Sequence, residues 1–364
     1  MRAPGRVNLI GEHTDYNGGY VLPVAIDLEV RIALSATGGD TARVERADTG
    51  ETASIDLGRL PSPGDEWHDY VSGTAWAMTD AGLAVEGFDG IVSSTVPIGA
   101  GLSSSAALEL AAAWALSGSA GPTVSPMALA RIAQRAENEH VGVRCGLMDQ
   151  FASACGVADH ALLLDCRSQE WRAVPLPSDL ALVVTHTGVP RSLGTSAYNE
   201  RRADCEEAVA IISREIAPVA SLRDVDADVL AVARPHLTQR VHARAEHVIS
   251  ENQRVLEFVA ALEADELDVL GPLMAASHAS LRDRYEVSCA ELDALVDIAT
   301  GVEGVVGSRM TGAGFGGCTV TLVHPDAVEA LRERVEREYP LRTGRTATMW
   351  VVDAVDGAGW ADPI

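Results

Sequence analysis

The chain has 364 residues, which at ~100–200 residues per domain suggests two domains. Hydrophobic residues make up 47% and charged residues 22%, which excludes a disordered chain, while only 4% aromatics leave the cores to Ala, Val and Leu. The formal net charge of -24, from 28 basic and 52 acidic residues, repels phosphate backbones and argues against broad nucleic-acid binding. A small anionic ligand is still possible, because backbone N–H groups hold phosphate without net positive charge.

No apolar run reaches the ~18–20 residues that span a membrane. The longest, Ala106 to Leu116, is short and interrupted by Glu109. The opening Met1-Arg2-Ala3-Pro4-Gly5-Arg6 has no apolar signal-peptide core, so a cytoplasmic protein is expected. None of the cysteines (Cys145, Cys155, Cys166, Cys205, Cys289 and Cys318) forms a C-x-x-C pair, and reduced core thiols are expected.

In chain order, Val21 to Leu34 and Gly90 to Val96 read as strands. The Ala-rich run 106–116 reads as a helix, as does Pro126 to His140, with apolar Met127, Leu129, Ile132 and Ala133. Ala161 to Leu164 and Ala181 to Thr185 look like buried strands. Helical spacing returns over Ala197 to Ile212, Gln239 to Leu262 and Glu291 to Thr300, the last closed by Gly301. Val305 to Arg309 and Cys318 to Val323 read as strands around a glycine-rich turn. Pro325 to Tyr339 reads as a charged helix and Thr346 to Val352 as a last strand. There is no regular βαβ repeat, so the expectation is a two-domain α+β protein divided somewhere in 155–190.

Chemistry concentrates in a few segments. Pro97-Ile98-Gly99-Ala100-Gly101-Leu102-Ser103-Ser104-Ser105-Ala106 follows a strand and opens a helix. Glycines allow close backbone approach, and a helix N-terminus offers free N–H groups and a positive dipole end. This is a phosphate cradle by mechanism, though not a Walker A loop; the alternative is a plain serine cap. The run Gly5 to Gly19 places Arg6, Asn8, Glu12, His13 and Asp15 among apolar Val7, Leu9 and Ile10. Buried charges need partners, and such a set matches the paired hydroxyls of a polyhydroxyl ligand better than a solvated Asn-Gly-Gly turn.

Asp149, within Gly146-Leu147-Met148-Asp149-Gln150-Phe151, is either a buried, paired carboxylate or a catalytic base; taken alone, the structural role comes first. Glu137 alone reads as a helix-surface charge. Thr311 to Cys318 matches G-x-G-x-x-G at Gly312, Gly314 and Gly317, but it leads into a strand rather than a helix, so dinucleotide binding is rejected and a tight turn near a ligand is retained. Trp67 and Tyr70, in the Pro/Gly-rich stretch Pro61 to Val71, are able to stack on a purine, although core packing is the plainer reading.

Together these residues resemble galactokinase, of the superfamily that also holds homoserine, mevalonate and phosphomevalonate kinases. Arg6 through Asn17 resembles the galactokinase signature, Gly99 through Ala106 the phosphate-binding motif, and Ser308 through Thr319 the third motif. Likeness over 145–168, 195–208 and 281–292 extends it to nearly the whole chain. The resemblance implies ATP-dependent transfer to the anomeric hydroxyl of galactose, giving galactose 1-phosphate. Asp149 would then be the base and Arg6 its electrostatic partner. Glu12, His13, Asp15, the backbone at Gly146, and Tyr198 would hold the sugar. Gly99 to Ala106 would hold the nucleotide phosphates, Trp67 and Tyr70 would flank adenine, and Ser105 and Glu137 would hold Mg²⁺.

The implied fold is an N-terminal α+β domain over 1–155, resembling part of a ribosomal protein, and a ferredoxin-like domain over 156–345. The site lies in the cleft between them, and residues 346–364 are placed to return to the first domain. A monomer acting on small molecules is expected, with no nucleic-acid or membrane partner. Galactokinases usually carry a further segment before the Ala-Pro-Gly-Arg run, which here begins at residue 3, and Ala313 stands where many relatives have Gly. An N-acetylgalactosamine or other sugar kinase, and a non-catalytic galactose sensor, are the alternatives. A yeast sensor of the latter kind lacks the Ser-Ala dipeptide present here as Ser105-Ala106.

Overall fold

The computed structural model describes residues 1–59, 64, 66–189 and 194–361. Pro61, Ser62, Pro63 and Asp65 of the Pro/Gly-rich stretch lie outside the described residues, as does Pro190 at the end of the expected boundary interval. The first half runs β1 (Arg2–Asn8), β2 (Tyr20–Val21), β3 (Pro23–Ala36), β4 (Thr41–Arg46), β5 (Thr52–Asp56), α1 (Asp69–Asp80), β6 (Phe88–Ser94), α2 (Ser104–Leu116), α3 (Pro126–Arg135), α4 (Met148–Cys155), β7 (His160–Asp165) and β8 (Trp171–Pro175). The second runs β9 (Ala181–His186), α5 (Gly194–Glu215), α6 (Ala227–Ala233), α7 (Gln239–Ala264), α8 (Leu267–Ser280), α9 (Ala290–Thr300), β10 (Val305–Thr311), β11 (Cys318–Val323), α10 (Val328–Thr343) and β12 (Thr348–Val352).

Three sheets form. Strands β1-β3-β6-β4-β5 make a mixed sheet in which only β4 and β6 run parallel, and β2-β7-β8 make a small antiparallel one. Strands β10-β11-β9-β12 are antiparallel throughout. With helices between β9 and β10 and between β11 and β12, the last sheet has the βαββαβ order of a ferredoxin-like unit. The chain is α+β, as expected. Strands β7 and β8 follow residue 155, yet β7 pairs with β2 and β8 with β7, so the passage to the four-stranded sheet runs through residues 176–180. Beyond β12 the chain returns to β1 and β3, where Arg2 and Gly359 exchange backbone hydrogen bonds and Val355 donates to Ala25.

The Ala-rich α2 is central to the first core because its small side chains admit close neighbours. Ala106, Ala107, Ala111, Ala112 and Ala113 are fully buried, and the helix packs on β1, β3, α1, α3 and α4. Several details depart from expectation. Helix α3 ends at Arg135, and Ala136–Val141 continues as a π-helical turn. Gly301 follows α9 with φ -83°, not in the left-handed region. Helix α10 starts at Val328 after a 3₁₀ turn and passes through Pro340 to Thr343.

The long α7 joins the halves. Val241, Ala245 and Val248 on its first turns belong to the helical core of the second half, whereas Val255, Phe258 and Val259 belong to the first core. Around the changeover, at 247–252, stand three buried polar residues that hold the backbone of segment 11–20. His247 Nε2 meets the Glu12 carbonyl at 3.1 Å, Glu251 Oε1 accepts from Gly11 N at 3.0 Å, and Asn252 Oδ1 accepts from Tyr20 N at 2.8 Å. Burial pushes the His247 imidazole down to about 4. The unfolded chain therefore takes up a proton near ~6.5 that the folded chain refuses until about 4. Stability should fall as pH drops across that window, by about 3 kcal/mol for this group. His247→Gln should flatten that limb of a thermal-midpoint against pH curve, while an identical curve would remove His247 as its cause.

Candidate active site

A cavity of about 250 Å³ opens where both halves of the chain meet. Its wall draws on Arg6 of β1, segment 12–16, the loop Gly99–Ser105, Glu137, Gly146, Asp149 of α4, Tyr198 and Asn199 of α5, and Gly312 to Gly314 between β10 and β11. Residues far apart in sequence thus converge because β1 lies next to both α2 and α4. Sequence reasoning missed Tyr16, Val143, Cys145, Met148 and Asn199; only the third motif, retained as a turn near a ligand, gave a signal for Ala313.

Arg6 is the hub. It is buried, its Nη2 lies 2.7 Å from Asp149 Oδ1, its Nε donates to the same oxygen at 2.9 Å, and its Nη1 donates to Gly101 O at 2.6 Å. The other Asp149 oxygen accepts from Ser103 Oγ at 2.5 Å. Ser103 is the N-cap of α2 but adopts φ 62° and makes no side-chain cap bond. The plain serine-cap reading therefore fails here, because that hydroxyl serves Asp149. Ser105, one residue into α2, hydrogen-bonds Glu137. Left-handed backbone at a non-glycine costs ~1–2 kcal/mol and tends to sit at functional sites; His13, with φ 64°, is a second case on the same cavity.

Four acids ring this space, Glu12, Asp15, Glu137 and Asp149. Asp15 is pushed up to about 6, chiefly by burial and then by the charge of Asp149. Glu137, expected as a surface charge, is instead buried in the π-helical turn and raised to about 7 by burial and by Asp149. Gln150 Nε2 donates to Glu137 at 2.5 Å and to the buried Glu109 at 3.0 Å. Glu109, which in sequence only interrupts an apolar run, is raised well above its usual range by burial. Glu12 is raised by burial, partly offset by Arg309, and accepts from Asn8 Nδ2 and from Gly312 N at 2.6 Å. Gly146 is required by close approach: a Cβ there would stand 1.7 Å from Asp15 Oδ2. His13, Tyr16 and Tyr198 form an aromatic edge, with ring centroids 5.4–5.9 Å apart.

Of the expected phosphate-loop set, Gly99, Gly101, Ser103, Ser104 and Ser105 line the cavity, whereas Ala100, Leu102 and Ala106 are buried behind it. Trp67 and Tyr70 do not line it. Tyr70 is close enough to Glu137 to feel its charge, and Arg46 lies over the Trp67 ring at 5.9 Å. Ser105 with Glu137 offers one hydroxyl and one carboxylate, hard oxygen donors that suit Mg²⁺, which takes few protein ligands and keeps waters.

Residues 1–36 match the galactokinase galactose-binding signature, 69–157 the GHMP kinases N terminal domain and 258–341 the GHMP kinases C terminal domain. A galactokinase of Roseiflexus sp. (strain RS-1) is 47% identical, over 99% of this chain and 92% of that protein. One of Chloroflexus aurantiacus is 44% identical over 98% and 92%. The crystal structure of Lactococcus lactis galactokinase complexed with galactose superposes with a TM-score of 0.93 at 35% identity, covering 98% of this chain and 93% of the other. Methanococcus jannaschii mevalonate kinase, with a TM-score of 0.68 at 18% identity, shares the fold.

The charge coupling is directly measurable. Asp149→Asn should lower the carboxyl titrations of both Asp15 and Glu137, read by ¹³C NMR of labelled side chains. Unmoved titrations would mean that burial alone raises them.

Proposed function

The chain belongs to the galactokinase family, and from that we propose that it transfers the γ-phosphoryl group of ATP to the anomeric hydroxyl of galactose. The products are galactose 1-phosphate and ADP. The observation that carries this reading is the position of Asp149: it lies in the cavity wall between the phosphate loop and segment 12–16, gripped by Arg6 and Ser103.

Phosphoryl transfer needs positioning and charge stabilisation more than covalent help from the protein. Asp149 accepts the proton as the sugar oxygen attacks phosphorus and the bond to the ADP oxygen breaks. Arg6, bonded to Oδ1 of the same carboxylate, steadies charge near the transferring group. The N–H groups at the start of α2 and the loop Gly99–Ser104 cradle the phosphates. Glu12, Asp15, His13, the Gly146 backbone and Tyr198 hold the sugar hydroxyls. Ser105 and Glu137 would hold Mg²⁺, whose chemistry is to neutralise phosphate charge. We place adenine toward Trp67 and Tyr70, on the Glu137 side of the cavity.

Cysteines in the thiol form suit a reducing cytoplasm, and no helix among the described residues is long and apolar enough to cross a membrane. We take the enzyme to act as a monomer. A coupled ADP-release assay over a panel of sugars tests substrate choice. Preference for N-acetylgalactosamine would change the substrate, and silence with every sugar would make the chain a sensor.

Asp149→Asn should bind galactose and lose turnover by ~10²–10⁴-fold. A kcat near that of the wild type would remove Asp149 from the mechanism. Ser105→Ala should shift the dependence of activity on Mg²⁺ concentration and leave the thermal midpoint nearly unchanged. A lowered midpoint with an unchanged Mg²⁺ curve would give Ser105 a purely structural role.

A further inference from the structure

A second π-helical turn, Leu281–Tyr285, follows α8 and delivers Tyr285 to the underside of segment 12–16. Its hydroxyl lies 2.7 Å from Tyr16 Oη, and Tyr16 Oη lies 2.9 Å from His13 Nδ1. At the other end, Cys205 Sγ lies 3.2 Å from Tyr285 Oη. The Tyr285 ring also packs on both imidazoles, 4.7 Å from His13 and 4.5 Å from His247. We propose that Tyr285, acting through Tyr16, sets the tautomer of His13, so that the ring accepts at Nδ1 and carries its proton at Nε2.

The direction follows from the donors. The thiol and the two phenols each carry one proton, so the relay must run one way. Sulfur is a weak acceptor, and an imidazole nitrogen is a strong one. The Asn17 side chain also bonds the Cys205 sulfur, and its Nδ2 donates to His13 O at 2.9 Å. The favourable order is therefore thiol to Tyr285, Tyr285 to Tyr16, and Tyr16 to Nδ1. Burial holds both phenols neutral, raising them well above their usual range. With Glu12 and Asp15 supplying acceptors, a fixed donor at His13 completes the set that adjacent hydroxyls need. That consequence rests on the reading of His13 as a sugar contact; the tautomer does not. Tyr285 is thus a positioning residue.

The test is ¹⁵N NMR of histidine-labelled, sugar-free enzyme, with His13 assigned from His13→Gln. The wild type should show the Nε2–H form. Tyr285→Phe keeps the ring contacts and removes the relay hydroxyl, so the Nδ1–H form should become populated. KM for galactose should rise about tenfold, as for one lost hydrogen bond, with kcat and KM for ATP within about twofold. Cys205→Ala, which removes the terminal donor, should move the tautomer in the same direction and serves if Tyr285→Phe does not fold. An Nδ1–H wild type, or a tautomer unmoved by both variants, overturns the proposal. A shifted tautomer with an unchanged galactose KM upholds the relay and removes His13 from sugar binding.

Discussion

The structure depends on a buried polar seam between α7 and the segment that follows β1. Glu251 accepts from Gly11 N and from Ser277 Oγ at 2.6 Å, and pairs with Arg254 at 2.7 Å. Its carboxyl is held down at about 2: Arg254, His247, Arg309 and the Ser277 bond together outweigh the burial that opposes ionisation. Arg309, fully buried on β10, donates to the carbonyls of Asn8 and Leu9 and stands 3.6 Å from Glu12. Removing one member of such a set leaves an uncompensated buried charge, which is why it constrains everything around it. The seam fixes the backbone that carries Glu12, His13 and Asp15, and it fixes it to elements from both halves.

The same economy governs the Asp149 side of the cavity. Arg6 bonds Asp149 and also the carbonyl of Gly101, so the loop before α2 and the helix that carries the carboxylate are registered by one guanidinium. Ser103 closes the triangle from the loop's other end. A rigid fork with fixed donors suits this better than a flexible ammonium would. The two π-helical turns fit the pattern in which such turns mark functional positions, one presenting Glu137 and the other Tyr285.

The cavity gathers four carboxylates around one buried arginine, Arg6, and burial raises three of them, Glu12, Asp15 and Glu137. Such a site suits a neutral polyol and a divalent cation better than a bare anion. In the proposed reaction, phosphate would be met instead by backbone N–H groups at the start of α2, so a net charge of -24 is compatible with a nucleotide.

The sequence by itself determined the local pieces: the Ala-rich helix, the strands flanking the glycine turn, the phosphate loop and the acidic signature segment. Each is written in short-range periodicity, in glycine placement or in a helix N-terminus, so a window of a dozen residues suffices. The α+β class and the galactokinase resemblance were legible there too. Only the tertiary structure decided which charges are buried and with whom. Glu137 reads as a surface residue until Gln150 and Ser105 close over it, Glu109 reads as a break in an apolar run, and Ser103 reads as a cap until its hydroxyl meets Asp149. It also decided that β7 pairs with β2, which no local pattern encodes. The physical reason is separation along the chain: Arg6 and Asp149 are 143 residues apart, and Glu12 and Gly312 are 300. Partners that distant are chosen by packing, because the desolvation that makes a buried charge demand a counter-group exists only once the fold has excluded water.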